Sequence, residues 1–299
     1  MSKLESMTST NLDATRSRAR RVAHRTSGHT HGPITRLMSP GDLGELVKPF
    51  VFLDYFETPS AGGPGMADHP HSGLATHTTL LEGGVAYRDS TGKSGILEQG
   101  SIEWMQAGGG VWHGGDLLAG KRIRGYQLWV ALPRSLELTP AESHYLAPSL
   151  VPGDDRVRVL LGRYEGLRSV LPEVSPITYL HVRLRDREAF RYQPPAGHDV
   201  AWLAVNEGRL HVGGSDVRKQ MVVFERGNDA IDMRAEGETE LVIGSAVKHP
   251  HDLVCGSYSV HTSKEALLRG ESGYREIAPE YRRVAPGLRE RTRAQLEAR

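Results

Sequence analysis

Three histidines fall within nine positions of the stretch MADHPHSGLATHTTLLEGG, residues 66–84, and imidazole is a ligand suited to transition-metal ions. On an extended chain His69 and His71 face the same way, about 7 Å apart, so both can aim at one ion. Pro70 stiffens the backbone between them and removes a donor, which suits the start of a strand or a rim. The remaining ligands must come from another strand, and AGGGVWHGGD, residues 107–116, offers His113 after a glycine turn. His-x-His is a short pattern; on spacing alone, surface histidines on a loop are the competing reading.

The elements that would position these side chains are short. PFVFLDYF (49–56), ATHTTLLEG (75–83), SIEWMQA (101–107), YQLWVAL (126–132), TYLHVRL (178–184), VAWLAVNEG (200–208) and TELVIGSA (239–246) are apolar or alternating runs, separated by turns such as EGG, STGK and GGSD. Many short strands punctuated in this way predict an all-β sandwich or barrel. Helical periodicity is confined to TSKEALLRG (262–270), where Thr262 or Ser263 can cap the first turn, and to the final Arg-rich stretch. LLEGGVAY…GILEQGSIEWMQA (80–107) has a counterpart in AVNEGRLHV…MVVFERGNDAIDMRA (204–235). Two copies of one β-unit predict two stacked halves. Only the first is rich in histidine; the second offers His198 alone at the matching positions.

A chain of 299 residues suits two domains, and 37 basic against 36 acidic residues give no global field toward nucleic acid or membrane. The Arg-dense ends, RSRARR (16–21) and RERTRAQLEAR (289–299), read as solvated segments. The single cysteine, Cys255, excludes an intramolecular disulfide, fits a reducing compartment and is expected to pack in the core. The first 28 residues lack the apolar run of a signal peptide, and no stretch of about 18 apolar residues could span a bilayer, so a cytoplasmic protein is expected.

DHPHSGLATHTTLLEGGVAYRDSTGKSGILEQGSIEWMQAGGGVWHGGD, followed by GYQLWVALP, resembles the signature region of the pirin family, bicupins of the cupin superfamily. HPHxG, the LEG turn, the RDSxG hairpin, xGxxxWMxAGxGxxH and QLWVxLP carry the likeness, which extends over roughly residues 30 to 280. The resemblance implies two stacked cupin β-barrels with short C-terminal helices. The expected divisions are a flexible segment 1–28, a metal-binding barrel 29–165, a structural barrel 166–260 and a helical tail 261–299. It also implies one Fe(II) in the first barrel, with Zn, Ni, Mn and Cu as other divalent candidates. Three histidines and a glutamate would hold it; matched by position, the histidines are His69, His71 and His113.

The glutamate's place, two residues after the last histidine, is Gly115 here. Three neutral imidazoles leave the dication uncompensated, and in quercetin-oxidising members the missing glutamate would also accept the flavonol proton. The general cupin pattern places another glutamate where Ala75 stands. His77 shares parity with His69 and His71 but lies some 20 Å beyond His71 on an unbroken strand, unless Gly73 bends the chain. Otherwise His77 is a hydrogen-bonded pocket residue. Asp116, one position late, turns to the wrong face on a strand unless the glycine-flanked loop swings it in. Glu103 is a third substitute, with a solvent-facing strand position as its simpler reading. His249-Pro250-His251 repeats the spelling outside the expected pocket, and GHTHG (28–32) reads as a loop. Trp104, Met105 and Trp112 are expected to pack the barrel or line its mouth.

Two functions follow from the resemblance: an Fe(II)-dependent dioxygenase of the quercetin 2,3-dioxygenase type acting on a flavonol-like aromatic, or a non-catalytic binding and regulatory module with weak or absent metal. A small aromatic substrate or ligand, an unidentified protein partner, no membrane or nucleic-acid partner and a monomeric state complete the expectation.

Overall fold

The computed structural model describes residues 20–59, 62–120 and 122–298. Its first half places two sheets face to face. The larger has seven strands, in the order Glu142–Leu146, Ile102–Gln106, Leu74–Glu82, Ile123–Ala131, Phe50–Thr58, Ile34–Met38 and His29–His31. The smaller has four: Gly63–His71, Val111–Leu117, Val85–Asp89 and Ser94–Leu97. The second half is an eight-stranded sheet built around Ile177–Leu184, Val200–Val212 and Ile231–Ala246. Mostly β, in two stacked units, is the expected architecture; the sheets stay open and do not close into barrels.

The run VAWLAV shows how the halves are joined. Successive side chains of a strand point to opposite faces. Val200, Trp202 and Ala204 therefore meet Tyr126, Leu128 and Trp104 of the seven-stranded sheet, while Ala201, Leu203 and Val205 fill the second half's own core. A strand covered on both faces has no polar position to spare, hence the unbroken apolar run. A buried ion pair also crosses the junction, from Arg124 to Glu240, and Glu240 accepts from Asn206 Nδ2 at 2.6 Å.

Several elements differ from expectation. The tail is one 34-residue helix, Lys264–Glu297, rather than several short ones, and it contains Pro279 and Pro286. Its buried residues, Ala266, Gly270, Tyr274, Ala278, Tyr281, Ala285, Leu288 and Thr292, form a stripe at three- and four-residue spacing. That stripe holds the helix on the outer face of the four-stranded sheet, where Trp112 Nε1 donates to Tyr274 O at 2.7 Å. Tertiary packing thus overrides poor local propensity. Ser263 caps its start, accepting from the Ala266 amide at 3.1 Å.

Within the segment expected to be flexible, residues 1–19 lie outside the described residues, but Val22–Thr26 is a strand paired with Met221–Phe224 of the second half. Arg20 is buried rather than solvated and donates to Asp199 O at 2.8 Å. The second sheet also takes a strand from before residue 166, Val157–Leu161. GHTHG contributes an exposed strand, His29–His31, not a loop. Cys255 is exposed, not packed in the core.

Candidate metal centre

The strand Gly63–His71 pairs antiparallel with Val111–Leu117, setting His71 opposite Val111 and His69 opposite His113. The two-residue repeat puts His69 and His71 on one face, and the register brings His113 onto it from the neighbouring strand. One ligand atom from each of the three lies within 4.8 Å of the others, a spread that one ion with bonds of about 2.1 Å to nitrogen spans after a small ring adjustment. Nε2 of His69 and Nε2 of His113 are 3.1 Å apart.

Each ring is oriented through its other nitrogen. His69 Nδ1 donates to Ala67 O at 2.8 Å, His71 Nδ1 to Tyr258 O at 3.0 Å, and His113 Nδ1 to Glu103 Oε1 at 3.1 Å. Carbonyl and carboxylate oxygens only accept, so in the neutral rings all three protons sit on Nδ1 and all three Nε2 lone pairs are bare. Burial, with His113 nearby, pushes His69 down to about 4 and holds His71 well below the usual imidazole range. Bare lone pairs facing one another at 3.1 Å are unfavourable unless a cation lies between them. The donor set therefore fits a divalent transition ion.

Glu103 is not solvent-facing. It is 5% exposed, on the inner face of the seven-stranded sheet, and accepts from the Thr78 hydroxyl through its second oxygen. Burial alone would raise its pKa, but His113 beside it and the hydrogen bonds from His113 and Thr78 outweigh that and hold it below the usual carboxylate range.

The structure does not bring His77 or Asp116 to the cluster. The strand breaks after His71: Gly73, at φ 74°, turns the chain, and Leu74–Glu82 belongs to the other sheet. Parity does not carry through that break. His77 is fully buried between Trp104 and Tyr179 at the junction of the halves, not in a pocket. Asp116, one residue out of phase with Gly115, lies on the outer face and accepts from Arg88 at 2.9 Å. Gly115 lies on the His113 face, but a Cβ added there would sit 2.8 Å from Val85 Cγ1, so a neighbour closes over the space. His249 is tied to Leu132 O at 3.2 Å and is not part of the cluster. Trp104 packs at the junction and Trp112 beneath the C-terminal helix, so neither lines the site.

Two features escaped the sequence pattern. Tyr258, 42% exposed, has its ring 5.6 Å from that of His69 and 6.0 Å from that of His71; it is 187 residues beyond His71, and nothing local marks it. Ser72, His261 and Glu137 line up as hydroxyl, imidazole and carboxylate at 3.0 and 3.3 Å, the order of a nucleophile triad. Ser72 has no exposed surface, and a Cβ on Gly270 of the helix would meet its Oγ at 2.6 Å. The triad is a packed polar tie, not a nucleophile site.

The family model described as Pirin matches residues 33–130, which include all three clustered histidines. A pirin-like protein of Caulobacter vibrioides is 34% identical over 221 residues, 69% of this chain and 76% of that protein. The chain belongs to the pirin family. A Pseudomonas aeruginosa protein provisionally named a quercetin 2,3-dioxygenase is 31% identical over 263 residues, 81% of this chain and 90% of that one. Among solved structures, a quercetin 2,3-dioxygenase from Acinetobacter baumannii superposes with a TM-score of 0.79 at 23% identity, over 87% of this chain and 98% of that one. The Escherichia coli pirin YhhW, solved in complex with nickel(II), gives 0.57 at 21% identity, over 77% of this chain and 98% of that one. These likenesses establish the pirin-like bicupin fold. No helix among the described residues is long and apolar enough to cross a membrane.

Proposed function

We propose that this pirin binds one divalent transition ion, Fe(II) foremost, through Nε2 of His69, His71 and His113, and acts as a dioxygenase on a planar, flavonol-like aromatic. The observation that carries the reading is the orientation of three rings by three separate acceptors so that three bare nitrogens converge. Such an ion, when bound, supplies Lewis acidity and a site for O2 chemistry. The chain's residues hold and shape the rest. Tyr258 offers a half-exposed ring beside His69 and His71, a surface on which a flat aromatic can stack. Trp129 packs edge-on against His71, 4.8 Å between centroids, and keeps water from its far side.

Glu103 is not placed to take the substrate's proton, because it is buried behind His113, bonded to that ring and to Thr78, and does not belong to the cluster. Gly115 brings no carboxylate either, so the substrate's acidic hydroxyl loses its proton to solvent. That absence favours a second reading, a binding or regulatory module whose metal is weakly held. Metal content after reconstitution with Fe(II), paired with oxygen uptake on quercetin, separates the two. Stoichiometric iron, lost in His69→Ala, together with turnover supports the dioxygenase. No iron and no turnover on quercetin or related flavonols leaves the binding module.

A further inference from the structure

Glu103 stands on the opposite sheet from the histidines and reaches across the gap to His113. Removing a carboxylate from water is costly unless a cation compensates it. Yet among the described residues no Lys or Arg pairs with Glu103; its ring partner is His113, at 3.1 Å, and a neutral imidazole does not compensate the charge. On the far side of that ring, Nε2 faces His69. A buried anion, an imidazole held by its near nitrogen, and a bare far nitrogen pointing into a convergence of lone pairs form a line with one end open. A cation at that end completes it. Neither oxygen of Glu103 is itself directed into the convergence: one takes the His113 Nδ1 proton and the other the Thr78 hydroxyl.

We infer that Glu103 is a positioning and charge-compensating residue which supplies, from behind His113, the negative charge that Gly115 does not supply from within the ligand set. Resting on the metal-binding reading above, this deepens it. A carboxylate behind a ligating histidine fixes the tautomer and makes the ring a stronger donor. Three neutral imidazoles then act on the ion as three nitrogens plus one unit of negative charge at one remove. Coordination positions that a fourth protein ligand would fill stay open.

The test is a titration of the full-length apo protein with Co(II) against a competing chelator at neutral pH. Wild type takes up one ion. Glu103→Gln takes up one ion with affinity about 10- to 100-fold weaker, while its apo melting temperature stays near that of wild type. Glu103→Asp, which keeps the charge but shortens the reach, falls between the two. Azide added to the Co(II) forms gives a signature that packing alone does not: it binds tighter to Glu103→Gln, whose site carries one more net positive charge. An affinity for Co(II) in Glu103→Gln within twofold of wild type, or azide binding no tighter, overturns the role of Glu103 while leaving the histidine site in place. If the apo Glu103→Gln chain does not fold, Glu103→Asp decides, and an affinity equal to wild type overturns the inference. If wild type takes up no Co(II), or His69→Ala takes up as much as wild type, the histidine site falls and this role falls with it.

Discussion

In the second half, the inward faces of Ile177–Leu184, Val200–Val212 and Ile231–Ala246 carry Leu180, Val182, Leu203, Val205, Leu241 and Ile243, all essentially without exposure. In the first half, the seven-stranded sheet turns Thr78, Glu103 and Gln127 inward, toward His69, His71 and His113 on the four-stranded sheet. Small apolar clusters lie on either side of this polar layer, Phe52, Leu74 and Trp129 in one and Leu80, Leu97 and Ile123 in the other. One scaffold is filled with aliphatic side chains and stabilised by them; the other keeps polar groups under cover and uses its sheets to aim them. Such local departures from an apolar interior mark functional sites, and the rest of the fold must offset them.

The sharpest way to break this contrast is one truncation in each half. His71→Ala should abolish uptake of one Co(II) per chain and leave the fold intact, as judged by circular dichroism. Leu203→Ala should retain full stoichiometry and lose about 2–5 kcal/mol of stability by chemical denaturation. Metal loss in the second variant, or unfolding in the first, would dissolve the division of labour.

A smaller effect is expected at the junction. Burial pushes His77 down to about 4, from 6.5 for an exposed imidazole. A folded pKa below the unfolded one means that the unfolded chain binds the extra proton. The stability that depends on neutral His77 is therefore complete above pH 6.5 and is lost as pH falls from there toward 4. Between pH 7 and pH 5 the loss is about 2 kcal/mol. His77→Gln should flatten the fall in apo melting temperature over that range, and an unchanged slope would mean the ring is not held neutral by burial.

The smallest effect concerns Gly115. Gly115→Glu alone should change metal affinity little, because Val85 Cγ1 stands 2.8 Å from where its Cβ must go. Paired with Val85→Ala, it should tighten Co(II) binding. A single variant that binds as tightly as the double one would show that Val85 is no obstacle.

The alternation of apolar runs and glycine turns made the strands legible, and HPH together with the distant His113 marked the cluster. Legibility failed where a residue's role depends on the chain's path between sheets. His77 has the right parity on paper, but Gly73 turns the chain onto another sheet first. Glu103 reads more simply as a surface residue, since SIEWMQ does not say which face of its strand is inside. The long helix was hidden by Pro279 and Pro286, although its stripe of small and aromatic residues was present in the sequence.

The oxygen that orients His71 belongs to Tyr258, which follows the whole second sheet in the chain. During synthesis, the HPH segment leaves the ribosome long before its orienting acceptor exists. A chain that stops short of Tyr258 lacks the oxygen that orients the His71 ring. Steering of all three rings is thereby tied to completion of nearly the entire polypeptide.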